Sequence, residues 1–114
     1  MIKKHNFPRR GDIYWVNLDP TVGVETKKTR PGLIVSNDIA NETARIVMIA
    51  PITSKVKILY PFEVKISLKG ALNKIMLNQC RAIDKSRLAD FIDSVDEDTM
   101  KQVEEALKTV FGLS

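Results

Sequence analysis

The sequence predicts a mainly β (α+β) fold: about five antiparallel strands in one sheet, followed by one C-terminal helix. Three observations lead there. Short apolar or alternating runs, each bounded by Pro, Gly, Asn or Asp, recur from Gly11 to Ile83. After Asp96 the apolar period changes from two to between three and four. A chain of 114 residues with 44% hydrophobic and 28% charged residues suits one domain with one core.

The whole chain, 1–114, reads as a single domain, with residues 1–8 as its flexible basic arm. Gly11 through Leu18 is the first strand. Ile13, Trp15 and Asn17 point to one face, and Tyr14, Val16 and Leu18 to the other. Both faces are mostly apolar, so this strand is expected to be central. Asp19-Pro20 ends it. The polar connection Thr21–Arg30 is long for a loop between strands, and such loops are commonly functional. Pro31–Ser36 is the second strand, and Asn37–Thr43 reads as a turn. Arg45–Ala50, nearly all apolar, is a third strand buried on both faces and closed by Pro51 and Thr53-Ser54. Phe62, Val64 and Ile66 alternate with Glu63 and Lys65, the pattern of a half-exposed strand. Ile75–Ile83 reads as one more strand, and Asp84–Asp93 as a short helical turn around Leu88 and Phe91. Asp96 is the expected N-cap of the final helix, with Glu97 and Asp98 in its first turn. Met100, Val103, Leu107 and Val110, widened by Ala106 and Phe111, form the stripe that should cover the sheet.

Charge divides the chain. Residues 1–83 hold 14 Lys and Arg against 6 Asp and Glu, a balance of +8, whereas 84–114 hold 4 against 8, a balance of −4. The basic part suits a polyanionic partner. No apolar run has the length of a membrane-spanning helix, and no apolar stretch follows the basic arm as a secretory signal would. The single Cys80 fits a reducing cytoplasm, so a cytoplasmic location with no membrane association is expected.

The chemistry available is narrow. The one histidine is His5, in the arm, so a two-histidine acid–base pair within one chain is excluded. No His, Cys and carboxylate cluster has metal-site spacing, and no glycine-rich phosphate loop is present, so neither a metal nor a cofactor is expected. Arginine, lysine, threonine, serine and lone carboxylates remain. These suit cleavage of RNA by its own 2′-hydroxyl, where the substrate brings the nucleophile. The protein must then align the chain, move two protons and stabilise charge on phosphorus. Arg30, at the junction of the polar loop and an apolar strand, has the forked geometry that matches phosphate oxygens.

At this point the chain resembles the MazF/PemK (Kid) family of toxin endoribonucleases. The matching residues run Arg10-Gly11-Asp12-Ile13-Tyr14-Trp15-Val16-Asn17-Leu18-Asp19-Pro20, Gly23-Val24-Glu25 and Thr29-Arg30-Pro31-Gly32-Leu33-Ile34-Val35-Ser36-Asn37-Asp38. They continue with Ala50-Pro51-Ile52-Thr53-Ser54, Tyr60-Pro61-Phe62-Glu63-Val64 and Gln79-Cys80-Arg81-Ala82-Ile83-Asp84. The resemblance implies a compact, SH3-like, partly barrel-like sheet and a homodimer. It implies sequence-specific, metal-independent, ribosome-independent cleavage of single-stranded RNA, leaving a 2′,3′-cyclic phosphate and a 5′-hydroxyl. It also implies a MazE-like antitoxin whose acidic disordered tail occupies the RNA groove.

Carried over by position, the resemblance makes Arg30 and Thr53 catalytic and Glu25 the group for proton transfer or loop ordering. Lys27, Lys28, Thr29, Ser36, Ser54, Asn78, Gln79 and Arg81 are the expected RNA contacts, with Gly23 as a hinge of the loop. Two positions depart from the pattern. Kid-like members carry an acidic residue immediately before the glutamine, where this chain has Asn78, which holds no charge. Lys27-Lys28 stand where many relatives have smaller, uncharged residues. Two other classes share the fold expectation: a gyrase poison of the CcdB kind, and a non-catalytic nucleic-acid-binding module.

Overall fold

The structure is a computed structural model that describes residues 6–18 and 29–114. It contains seven strands where the sequence predicts about five. They are β1 (Asp12–Asn17), β2 (Thr29–Ile34), β3 (Ile46–Thr53), β4 (Glu63–Leu68), β5 (Ala71–Met76), β6 (Arg81–Asp84) and β7 (Leu88–Ser94). The helices are α1 (Asp38–Thr43) and α2 (Glu97–Phe111). Every pairing is antiparallel, and the order is β4-β5-β3-β2-β1-β7, with β6 also on β3. The sheet curls into a half-barrel with α2 beside it.

β3 organises the curl. Its first half pairs β6 through Ile46–Ile49, and its end pairs β5 through Ile52 and Thr53. β3 therefore runs through Pro51 instead of stopping there. Pro51 lies between the segments that pair β6 and β5, where the ladder on that side is already interrupted, so its missing N–H is tolerated. The same change of partner divides the expected Ile75–Ile83 strand. The chain must step from one half of β3 to the other, and it does so in a 3₁₀ turn at Leu77–Gln79. Leu77 buries fully there, leaving Asn78 and Gln79 exposed.

Asp84–Asp93 is also corrected. A 3₁₀ turn at Lys85–Arg87, capped by Asp84, leads straight into β7, which pairs with β1. Tyr14 and Val16 are two apart on β1, yet their partners Phe91 and Leu88 are three apart on β7, because the register shifts between them. A bulged strand thus imitates helical spacing. The expected turn Asn37–Thr43 is instead α1, whose N-cap Asn37 accepts the Ala40 N–H at 2.9 Å.

The two faces of β1 serve two cores, as the alternation predicts. Ile13 joins Leu33, Ala50, Ile52, Ile75 and Leu77 in the layer covered by Val103 and Ala106 of α2. Tyr14 and Val16 join Ile34, Val47, Ile49 and Ile83 on the other face. α2 begins at the expected cap, where Asp96 accepts the Thr99 N–H at 2.8 Å, and ends at Gly112 in a left-handed conformation. Phe111, expected in the packed stripe, is 62% exposed. Of the predicted arm, residues 1–5 lie outside the described residues. Phe7 and Pro8 are half-buried, and the Arg9 guanidinium stands 5.5 Å above the Phe7 ring.

Candidate nucleic-acid-cleaving site

β1, β2 and β3 share the face that carries Val16, Arg30, Pro51 and Thr53. Val16 is opposite Arg30 and Gly32 is opposite Pro51. Directly opposed residues of antiparallel strands point the same way, and alternate residues repeat it. Arg30 and Thr53 therefore emerge side by side where the apolar core of this face ends. The fold brings these sequence-distant residues together through strand register alone.

There a cleft of about 430 Å³ opens, lined by Leu18, Arg30, Pro51, Thr53, Met76, Gln79 and Arg81. Arg30 is half-buried, Thr53 is 8% exposed, and Gln79 and Arg81 are exposed at the rim. The Thr53 Oγ1 accepts the Lys55 N–H at 3.2 Å, which leaves its own O–H free to donate. The Gln79 amide leans on the Met76 Sδ at 3.5 Å, and an Arg81 Nη donates to the Leu18 carbonyl at 3.3 Å. The described lining offers two guanidinium groups, a hydroxyl and an amide, with no carboxylate. Such a set is complementary to a phosphodiester and its sugar.

The remaining expected residues are distributed as follows. Thr29 opens β2 and is exposed, Ser54 is exposed just past β3, and Asn78 is exposed in the 3₁₀ turn beside Gln79. Glu25, Lys27, Lys28 and Gly23 lie outside the described residues. Ser36 lies at the far end of β2 and does not line the cleft. Its hydroxyl accepts the Met48 N–H at 3.0 Å and donates to the Asn41 side chain, so the expected RNA contact gives way to a role in holding the turn. Cys80 packs against the α2-facing core, and burial pushes its thiol above the ordinary range. Among the described residues, no group of three His, Cys, Asp or Glu side chains could hold a metal. No helix among them is long and apolar enough to cross a membrane.

Sequence reasoning missed Leu18, Pro51 and Met76 as cleft walls, and it missed Lys74 and Glu63. Lys74 is in register with Thr53. Its ammonium is 2.8 Å from Glu63 Oε1, with side chains 9% and 5% exposed. The signal was a lysine between Asn73 and Ile75 in a strand, which only a buried partner makes tolerable. A separate cavity of about 230 Å³, lined by Asn6, Phe7, Pro8, Tyr14, Lys85 and Leu88 among others, mixes polar and apolar walls and holds no guanidinium.

Comparison with known proteins bears on the family and the fold. The model of the PemK-like, MazF-like toxins of type II toxin-antitoxin systems matches residues 9–111. Endoribonuclease EndoA of Bacillus subtilis is 38% identical over 110 residues, covering 92% of this chain and 95% of that protein. A MazE–MazF structure from Deinococcus radiodurans superposes with a TM-score of 0.80 at 29% identity, covering 94% of this chain and 97% of that one. An endoribonuclease in complex with its cognate antitoxin, from a mycobacterial species, gives 0.79 at 26% identity over 94% and 97%. With its half-barrel, its C-terminal helix and an arginine–threonine cleft at the end of the sheet, this chain belongs to the PemK/MazF family of type II toxin endoribonucleases.

Proposed function

We propose that this protein is the toxin of a type II toxin-antitoxin pair that cleaves single-stranded RNA at specific sequences, without a metal or the ribosome, and so inhibits translation. The convergence of Arg30, Thr53, Gln79 and Arg81 on one cleft carries the reading. The ribose 2′-oxygen attacks the adjacent phosphorus, forming the cyclic phosphate as the bond from phosphorus to the 5′-oxygen breaks. The proton leaving the 2′-hydroxyl passes to Glu25, and the 5′-oxygen of the leaving strand takes up one proton from solvent water. Arginine stays protonated in proteins, so Arg30 stabilises the charge on phosphorus and does not act as the base. Thr53 adds a hydrogen bond from its free O–H. Asn78 has no charge to offer, which leaves Glu25 as the proton acceptor from this chain. Lys27, Lys28, Thr29, Ser54 and Asn78 join Gln79 and Arg81 in holding the RNA.

The whole chain acts as one toxin domain, in a homodimer. Its partner is a MazE-like antitoxin whose acidic tail competes for the basic cleft, which fits the +8 balance of residues 1–83. Incubation of the purified protein with single-stranded RNA in EDTA tests the reading. Cleavage with 2′,3′-cyclic phosphate ends is expected, and mapping the ends gives the recognised sequence. Bound but uncut RNA would indicate a binding module. Neither binding nor cleavage would indicate a poison of the CcdB kind.

A further inference from the structure

We infer that Lys74, held by Glu63, is a positioning residue for this cleft: it straps down the segment 54–62 and through it orients the Thr53 hydroxyl. The inference rests on the reading of the Arg30–Thr53 cleft as the RNA-cleaving centre.

Lys74 lies opposite Thr53 on one side and opposite Lys65 on the other, so it shares the face of the sheet that carries the cleft. Its ammonium is almost wholly withdrawn from solvent, which a charge tolerates only when paired and hydrogen-bonded. One bond goes to Glu63 at 2.8 Å, and a second to the Ile58 carbonyl at 2.7 Å. The Tyr60 ring lies 5.7 Å from the ammonium and stacks on Phe62 with 5.4 Å between centroids. Glu63 meanwhile accepts the Tyr60 N–H at 2.9 Å. One charge pair thus fastens the segment at both Ile58 and Tyr60.

The segment that it fastens begins directly after Thr53. It has no regular structure before β4, and it leaves Ile58, Leu59 and Tyr60 exposed, so little apolar burial holds it. Its Lys55 N–H occupies a lone pair of Thr53 Oγ1 at 3.2 Å. That bond fixes which way the remaining O–H can point. Loosening the strap frees Lys55, and the hydroxyl then loses its fixed direction towards the phosphate. Lys74 reaches the chemistry only through this relay, because Glu63 already satisfies its charge.

The test is a double-mutant cycle with the neutral pair Lys74→Met, Glu63→Gln, which leaves no buried charge unpaired. Amide hydrogen exchange at Lys55 and Tyr60 should quicken about tenfold relative to wild type. The kcat/KM for RNA cleavage should fall about tenfold with Thr53 present, and less than about twofold in the Thr53→Val background. Unchanged exchange, or the same loss in both backgrounds, overturns the inference. Should the pair fail to fold, the polar neutral pair Lys74→Gln, Glu63→Gln, which likewise leaves no buried charge unpaired, carries the same two measurements with the same criteria. If the wild-type protein does not cut RNA, the reading of the cleft fails, while exchange still decides whether the strap holds the segment.

Discussion

Gly32 and Val16 lie so close that a Cβ on the glycine would stand 2.9 Å from Val16 Cγ2. Gly32 is opposite Tyr14 on β1, and Val16 is opposite Arg30, so this close approach sits beside the arginine of the cleft. Val16 is fully buried and β-branched, so its methyl cannot swing away cheaply. Gly32→Ala should therefore destabilise the fold by about 1–3 kcal/mol through overpacking. Urea unfolding measures it, and trimming the neighbour in Gly32→Ala, Val16→Ala should recover part of the loss. A neutral Gly32→Ala would contradict the packing described.

Arg30 and Thr53 make separable contributions to the cleft. Arg30→Ala removes a charged donor from the position where charge grows on phosphorus, and should lower kcat by roughly 10²–10³-fold, about 3–4 kcal/mol. Thr53→Val removes one neutral donor and should cost less, about 1.5–3 kcal/mol. Single-turnover cleavage of a short RNA gives both values. Wild-type rates from Arg30→Ala would remove it from the mechanism.

Ser36 and Asn41 should affect stability and leave cleavage alone. Asn41 is fully buried, and its amide donates to the Ser36 carbonyl at 2.9 Å and to Asp38 at 3.2 Å, while its oxygen receives the Ser36 hydroxyl. Ser36→Ala strands the Met48 N–H that its oxygen accepts, and should cost about 1–3 kcal/mol. Thermal unfolding should record the loss while kcat/KM for RNA stays at the wild-type value. A selective fall in kcat/KM would return Ser36 to the RNA surface.

These residues show what a sequence can disclose of such a site. Arg30 stood out because it marks the point where a polar loop becomes strand, whereas Thr53, at the end of an apolar strand, was singled out only through the family resemblance. Their adjacency follows from register, which alternation along β1 and β3 already constrains. The two-sided burial of β1 was legible for the same reason. β7 was not, because its bulges set Leu88 and Phe91 at helical spacing while they pack against Val16 and Tyr14, the latter ring edge-on at 5.6 Å. The division of Ile75–Ile83 was hidden because it depends on two strands sharing one edge of β3, a non-local fact. Lys74 was hidden because its partner Glu63 lies on a neighbouring strand.

Three carboxylates give stability a defined pH dependence. Burial pulls Asp38 upward, but the Arg10 N–H at 2.7 Å, the Asn41 amide and the charges of Arg9 and Arg10 outweigh it and hold it low. Asp84 is held low by the N–H and hydroxyl of Ser86, and Asp96 by those of Thr99. Each folded value lies below the unfolded one, so the stabilisation is complete above the ordinary carboxylate range and is lost as pH falls through the folded values. The melting temperature should drop steadily below about pH 4. Asp38→Asn should make that drop shallower, and an unchanged slope would rule out its contribution. At the alkaline end, Tyr14 is raised by burial and then by the Asp12 charge, so stability should fall as pH rises past the ordinary tyrosine range.

Arg81 tests whether the cleft engages the RNA backbone. Its side chain is exposed, and an Nη reaches the Leu18 carbonyl at 3.3 Å, a link too weak to matter much to folding. Its charge faces the same cleft as Arg30. Binding of an RNA with a 2′-deoxyribose at the cut position, which cannot be cleaved, isolates affinity from chemistry. Arg81→Ala should weaken that binding and reduce the slope of log affinity against log salt by about 0.7, the share of one phosphate contact on a single strand. Lys85→Ala is the matched control. It removes an equal charge from a residue that lines the separate cavity, away from the cleft, and whose ammonium reaches the Glu42 carbonyl at 3.5 Å. Net charge falls equally in both variants, so a change of slope confined to Arg81→Ala can come only from a local contact. Equal slopes in the two would reduce Arg81 to a contributor to the general basic field.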